Sequence, residues 1–312
     1  MSVRARISRR TLIASPLLAW PALAARAAPA PARLALWPEG PPGGGGPQGE
    51  LALDARGAVS NIAQPFLDVF LPERPNGAAV LVAGGGGYKR IEIGYEARPA
   101  AAWLQARGVA AFVLGYRLPR EGWGDGPAAP LQDAQRALRL IRFHAARFQL
   151  DPRRVGALGF SAGGHLLGMA SARAGAAVYA SRDAVDALAA TSAATALVYP
   201  VITLEPPYDA TSTRKSLVGE HPVPGAAAEW SVQTHVHADC APMFLAQAED
   251  DPIADAHNTL IMAAACERAG VAVEMHRFAS GGHGFAMGRP GTPTLAWPGF
   301  YEAWLRRRGF VA

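Results

Sequence analysis

The residues best suited to chemistry sit at a serine turn. Gly159-Phe160-Ser161-Ala162-Gly163 has the spacing G-x-S-x-G, follows the apolar run Arg154 to Phe160 and precedes a small-residue helical stretch that starts near Leu166. A serine at a sharp strand-to-helix turn is held in a strained backbone, and glycines two residues to either side let strand and helix approach without a Cβ clash. The hydroxyl then projects at a helix N-terminus. A serine hydroxyl is a poor nucleophile at neutral pH, so it needs a base to take its proton and a third group to orient that base.

Both partners are available downstream. The run Met243 to Gln247 leads into Ala248-Glu249-Asp250-Asp251-Pro252, and a later run ends in Gly281-Gly282-His283-Gly284-Phe285. We read Ser161, Asp251 and His283 as a catalytic triad. Asp251 is preferred because Asp251-Pro252-Ile253-Ala254 has the form Asp-x-x-small counted from the strand end; Asp250 is the alternative acid, and Glu249 reads as a solvated strand-end residue. Of the eight histidines, His144, His165, His257 and His276 fall where packing or surface roles are expected. His235 and His237 alternate near Asp239, a pattern that could suggest a metal site, but alternation arises by chance and a serine triad needs no metal. No metal and no cofactor are therefore expected.

Attack on a carbonyl puts negative charge on its oxygen, which needs hydrogen-bond donors. The run Ala78 to Ala83 ends in Gly84-Gly85-Gly86-Gly87-Tyr88, where consecutive glycines let backbone N–H groups turn toward a ligand. Gly86 and Gly87, with the N–H of Ala162, are the predicted oxyanion hole. A phosphate loop is the competing reading of a glycine run, but the Gly-Lys-Ser/Thr ending and a G-x-G-x-x-G with a spaced acid are both missing. Tyr88 and Trp123 are candidate walls of the substrate pocket, or else core residues.

The elements that must position these groups alternate in type. Short apolar runs over Phe66 to Leu71, Ala78 to Ala83, Val109 to Tyr116, Arg154 to Phe160, Ala196 to Tyr199, Pro242 to Gln247 and Val271 to Phe278 read as strands, with helical patterns between several of them. That alternation predicts an α/β fold with a mostly parallel central sheet and helices on both faces. The clearest helix is predicted from about Pro130 to Phe148, with Leu131, Ala134, Leu138, Ile141 and Ala145 on its apolar stripe. Arg136, Arg139, Arg142 and Arg147 would form its solvated face. Residues 31–55 contain the breaker-rich stretch from Pro38 to Gly49 and are expected to be a flexible lead-in, leaving 56–312 as one catalytic domain. The segment from Leu204 to Gly225 is either a small lid or a long surface loop.

The chain has 312 residues, 50% of them hydrophobic, and a formal charge of +5. Five arginines and no acidic residue lie in residues 1–30, ahead of and around the short apolar stretch Thr11 to Ala25. This reads as an export signal peptide, and Ser8-Arg9-Arg10-Thr11-Leu12-Ile13 resembles a twin-arginine signal. Without those five, the 30 basic residues become 25 against 25 acidic ones. The mature protein is then near neutral, exported to the periplasm or beyond, with no nucleic-acid partner and no stable membrane association expected. Cys240 and Cys266 could form a bridge in an oxidising compartment, but Cys266 falls in an apolar helical pattern that favours a buried free thiol.

Taken together, these motifs resemble the α/β-hydrolase esterases of the acetyl-xylan-esterase-like and dienelactone-hydrolase-like group. The resemblance covers about residues 60 to 310. It rests on Gly84 to Tyr88, Gly115-Tyr116-Arg117-Leu118-Pro119, Pro130-Leu131-Gln132-Asp133-Ala134, Asp151-Pro152, the turn around Ser161, Asp250-Asp251-Pro252 and the loop around His283. It implies the α/β-hydrolase fold with minimal or no cap, and hydrolysis of carboxylic esters. The expected substrate is a small-molecule or oligosaccharide ester, often with a short acyl group such as acetyl. Two residues depart from the group's pattern: Gly84, where many relatives have histidine or proline, and Gln247, where histidine is common. Dienelactone hydrolases proper use cysteine, against which Ser161 stands. A serine peptidase of the same fold and a silent binding module are the competing readings.

Overall fold

The computed structural model describes residues 31–312, so the export-signal reading falls outside the described residues. Eight strands form one sheet: β1 (Ala32–Ala35), β2 (Phe66–Phe70), β3 (Ala79–Ala83), β4 (Ala110–Gly115), β5 (Val155–Phe160), β6 (Thr195–Val198), β7 (Met243–Ala248) and β8 (Val273–Phe278). Their spatial order is β1-β2-β4-β3-β5-β6-β7-β8. The pairs β1/β2 and β2/β4 are antiparallel, and every other pair is parallel. Every residue of β3 through β7 is buried, as expected for strands covered on both faces. All seven runs read as strands from the sequence are strands. A small antiparallel ribbon, Ala52–Leu53 with Val59–Ser60, lies outside the main sheet.

Among the described residues, seven α-helices complete the fold: α1 (Arg98–Gln105), α2 (Ala128–Phe143), α3 (Ser161–Ala172), α4 (Ser212–Val218), α5 (Ala226–Glu229), α6 (His257–Ala269) and α7 (Trp297–Arg307). Helices α1 and α7 meet through stacked Trp103 and Tyr301, with ring centroids 5.7 Å apart, and Arg107, just past the end of α1, pairs with Glu302 of α7 at 2.7 Å. Helix α2 packs on α3, and both also contact strands of the sheet. Among the described residues, no helix is long and apolar enough to cross a membrane.

Helix α2 buries the predicted stripe but ends five residues early. Its C-cap is His144, and Gln149 takes a left-handed conformation at φ 56° as the chain turns toward Pro152. The arginine face also needs correction. Arg136 is buried and pairs with Asp183 at 2.5 Å and Asp186 at 2.9 Å, while its Nε donates to Leu36 O. Arg139 donates to the Tyr179 hydroxyl. These side chains fasten the segment around Tyr179 to Asp186 onto the helix. Desolvation of so long a cation is offset only because each donor meets an acceptor.

The lead-in is likewise part of the fold. Strand β1 pairs along its length with β2, Leu36 and Trp37 are buried, and Trp37 Nε1 donates to Asp133 Oδ1 at 2.7 Å. Asp133 in turn forms a fully buried pair with Arg117 at 3.0 Å, and Arg117 Nη1 donates to Pro42 O. Three of the glycines that suggested flexibility, Gly43, Gly45 and Gly46, are there for close approach. A Cβ on Gly46, whose φ is 93°, would lie 2.4 Å from the Trp123 ring. Composition alone does not separate a solvated glycine run from one pressed against an aromatic ring.

Trp37→Ala should therefore lower global stability by about 3–5 kcal/mol, the cost of emptying a buried aromatic site. Urea midpoints of the wild type and the variant at equal slope measure it; a loss under about 1 kcal/mol would return residues 31–55 to the status of a peripheral tail.

Candidate active site

Parallel strands deliver their carboxyl ends to one edge of the sheet, and four of them carry the chemistry. Strand β5 runs in extended backbone to Phe160 and turns sharply at Ser161, the first residue of α3, whose φ of 51° lies in the left-handed region. A non-glycine residue there is held against a backbone cost of about 1–3 kcal/mol by its surroundings. Close approach does the holding. A Cβ on Gly163 would stand 2.3 Å from Ala83 O of β3, and one on Gly159 would stand 2.3 Å from Gly163 O. The G-x-S-x-G spacing is thus the spacing at which β3, β5 and α3 touch.

The loops after β7 and β8 bring the partners in. Ser161 Oγ lies 2.8 Å from His283 Nε2, and His283 Nδ1 lies 2.8 Å from Asp251 Oδ2. A proton on Nδ1, shared with the carboxylate, leaves Nε2 free to accept from the serine hydroxyl. Asp251 is buried and saturated: Oδ1 accepts the N–H groups of Ile253 at 2.8 Å and Ala254 at 2.9 Å, and Oδ2 also accepts Gln247 Nε2 at 2.9 Å. Asp250 does something else. Its Oδ1 accepts the N–H of Gly282 at 2.7 Å, which fixes the loop that carries His283. The structure therefore brings together Ser161, Asp251 and His283, and gives Asp250 a separate place.

A cavity of about 380 Å³ opens above Ser161 and His283, with Gly86 and Gly87 in its lining. Ala162 follows the serine as a buried residue in the first turn of α3. The segment read as lid or loop contains α4, whose Ser212 and Thr213 line the cavity with Thr211, and Ser216 Oγ donates to Gly87 O at 2.8 Å. Neither predicted aromatic wall is present. Tyr88 is buried, and its hydroxyl is 3.0 Å from His165 Nδ1, behind the glycine loop. Trp123 is buried against the lead-in and beneath Arg117, 5.1 Å from its guanidinium. Tyr95, 40% exposed, is the aromatic residue in the cavity lining.

The remaining histidines and the two cysteines have other places in the fold. His235 lies in a single 3-10 turn with Val232 rather than on an extended stretch, and among the described residues no three histidine, cysteine or acidic side chains are grouped as metal ligands. Cys240 and Cys266 are both free and buried, and burial pushes the Cys266 thiol up to about 12. His165 is a buried packing residue bonded to Tyr88 and to Trp230 O, with its pKa lowered to about 4 by desolvation.

Glu96 escaped the sequence reading. It is 3% exposed, one oxygen accepts the Gly85 N–H at 2.6 Å and the other accepts the Tyr199 hydroxyl at 2.9 Å. The Tyr199 ring packs edge-on 5.0 Å from His283, so one carboxylate links the glycine loop to the wall of the base. The signal was a carboxylate sharing a helical stripe with Ile93, Ala100 and Leu104. Gln247 was visible only as a departure from the resembled group; its contact with Asp251 came from the register of β7.

Burial raises the Glu96 pKa from 4.5 to about 7, against the lowering effect of its two hydrogen bonds and of His283. Between those values the folded protein keeps a proton that the unfolded chain releases. Stability contributed by this group is then greatest below pH 4.5 and is lost as pH rises to about 7. The full span corresponds to on the order of 3 kcal/mol. Urea midpoints of the wild type and Glu96→Gln at pH 5 and pH 8 isolate the effect. The wild type should lose more stability over that interval than the variant, and equal losses would contradict the buried-acid assignment.

Comparison with known proteins places this geometry among relatives. The BD-FAE family profile matches residues 67–265. An acetylxylan esterase from Xylanibacter ruminicola is 30% identical over 70% of this chain and 43% of its own length. An endo-1,4-beta-xylanase B from Butyrivibrio fibrisolvens is 28% identical over 72% of this chain and 34% of its own. The chain thus spans less than half the length of either curated relative. A solved acetyl ester-xyloside bifunctional hydrolase from Caldicellulosiruptor lactoaceticus is 31% identical, with a TM-score of 0.72 over 88% of this chain and 100% of that one. The fold is that of the α/β-hydrolases.

Proposed function

Because this chain belongs to the BD-FAE family, we propose that it is a serine carboxylic ester hydrolase acting on short-chain acetyl esters of carbohydrate. The observation that carries the reading is the linear chain Ser161 Oγ, His283, Asp251 at 2.8 Å and 2.8 Å beneath an open cavity. Similarity to an acetylxylan esterase and to an acetyl ester-xyloside hydrolase supports the acetyl and carbohydrate parts.

In this reading His283 Nε2 takes the proton of Ser161 as Oγ attacks the ester carbonyl. The tetrahedral oxyanion is held by N–H groups of Gly86, Gly87 and Ala162. Collapse expels the alcohol, which leaves with the proton held by His283, and Ser161 carries the acyl group. Water then attacks the acyl carbonyl as His283 takes its proton. Breakdown of that second intermediate returns the proton to Ser161 and releases the carboxylic acid. Asp251 fixes the imidazole tautomer, and Gln247 fixes Asp251. Residues 1–30 are read as the export signal that delivers the enzyme to the periplasm or beyond, where polysaccharide fragments are met.

A panel of acetylated xylan, a feruloylated sugar, 4-nitrophenyl acetate and a peptide amide tests the proposal. Release of acetate from the first and third, with little turnover of the peptide, is expected; peptide cleavage at comparable kcat/KM would favour a peptidase.

A further inference from the structure

The charge of the described chain is balanced, yet the active-site cavity is not. Arg56, Lys89, Arg90 and Arg289 all contribute to its lining, and they come from three separate stretches of chain: the ribbon turn, the glycine loop and the segment after His283. Two carboxylates share the lining, and both are engaged. Glu92 pairs with Arg90 at 2.6 Å, and Glu96 is buried with its oxygens on Gly85 and Tyr199. Among the described residues, Arg56, Lys89 and Arg289 have no carboxylate within ion-pair distance. A molecule with 25 basic and 25 acidic residues outside positions 1–30 has thus gathered three cations outside any salt bridge around its nucleophile, of which Arg56 also sits in the field of the Asp54 carboxylate.

Two of these cations are positioned. Arg289 Nη2 donates to the carbonyl of His283 at 3.0 Å, which ties the guanidinium to the base's own loop. Arg56 sits over the Tyr95 ring, 5.3 Å from its centroid. Lys89 is exposed on the same loop as Gly86 and Gly87. A concave site lined by one sign of charge raises the local concentration of the opposite sign, and guanidinium groups match a carboxylate in geometry. An uncharged acetyl ester would leave all three unmatched.

We propose that the cavity selects esters whose non-reacting part carries a carboxylate, in the form of acetylated oligosaccharides that bear a uronic acid residue. The inference rests on the ester-hydrolase reading above and names its substrate class. The uronate meets Arg289, Lys89 and Arg56 at the mouth while the acetyl carbonyl reaches Ser161, and Tyr95 offers a face for a sugar ring.

The test compares kcat/KM for two acetylated xylo-oligosaccharides that differ only in a glucuronic acid branch, and for 4-nitrophenyl butyrate against the mono-4-nitrophenyl ester of succinic acid. At low ionic strength the uronate-bearing substrate should be favoured roughly tenfold, and about 0.5 M salt should bring that ratio toward one. The same ratio should collapse in a variant combining Arg56→Gln, Lys89→Gln and Arg289→Gln. A preference seen only in the succinate pair would move the carboxylate to the acyl part and overturn the uronate assignment. Equal rates within both pairs, or a ratio unmoved by salt and by the triple variant, would overturn the charge selection while leaving the esterase intact. Hydrolysis of none of the four would remove the ester-hydrolase reading and this proposal with it.

Discussion

Ser161→Ala should reduce kcat/KM for 4-nitrophenyl acetate by at least about 10⁴-fold, with folding unchanged. The substitution removes one oxygen atom at the strained turn where β5 passes into α3, 2.8 Å from the base. No neighbouring group can replace it, because the glycines at 159 and 163 bring only backbone to that point. Stability should rise or stay level in the variant, since alanine loses no partner apart from His283. Residual activity above about one per cent of the wild type would place the nucleophile elsewhere.

The second large effect separates two adjacent acids. Asp251→Asn should lower kcat by about 10³- to 10⁴-fold, because an amide in place of the carboxylate permits the imidazole to hold its proton on the nitrogen facing Ser161. The cost to the fold should be modest, as an asparagine oxygen still accepts from Ile253 and Ala254. Asp250→Asn keeps an acceptor for the Gly282 N–H and lies outside the proton path, so it should stay within about tenfold of the wild type. Steady-state kinetics on both variants decides the assignment; the reverse order of losses would make Asp250 the orienting acid.

Much of this site was written locally. The serine turn, the acid-bearing loop and the glycine-flanked histidine are each a few residues long, and each follows a strand recognisable by its apolar run, so their convergence at one sheet edge followed from parallel pairing. Features set by distant residues were not legible in the same way. Gly43, Gly45 and Gly46 read as flexible because their reason for being glycine, Trp123 and its neighbours, is about 80 residues away in sequence. Arg136 read as solvated because its partners Asp183 and Asp186 belong to a segment without periodicity. Residue type alone leaves Tyr88 and Trp123 open between pocket wall and core, and both are buried in the core. The cationic mouth was hidden by a neutral total, since net charge says nothing about where three arginine and lysine side chains come together.

The most direct test of the account is the reaction of the wild-type protein with a fluorophosphonate, read by peptide mass spectrometry. The phosphonyl adduct should fall on Ser161, be lost in Ser161→Ala, and form far more slowly in His283→Ala. An unlabelled protein, or an adduct on any other residue, would contradict the claim that Ser161 is an activated nucleophile.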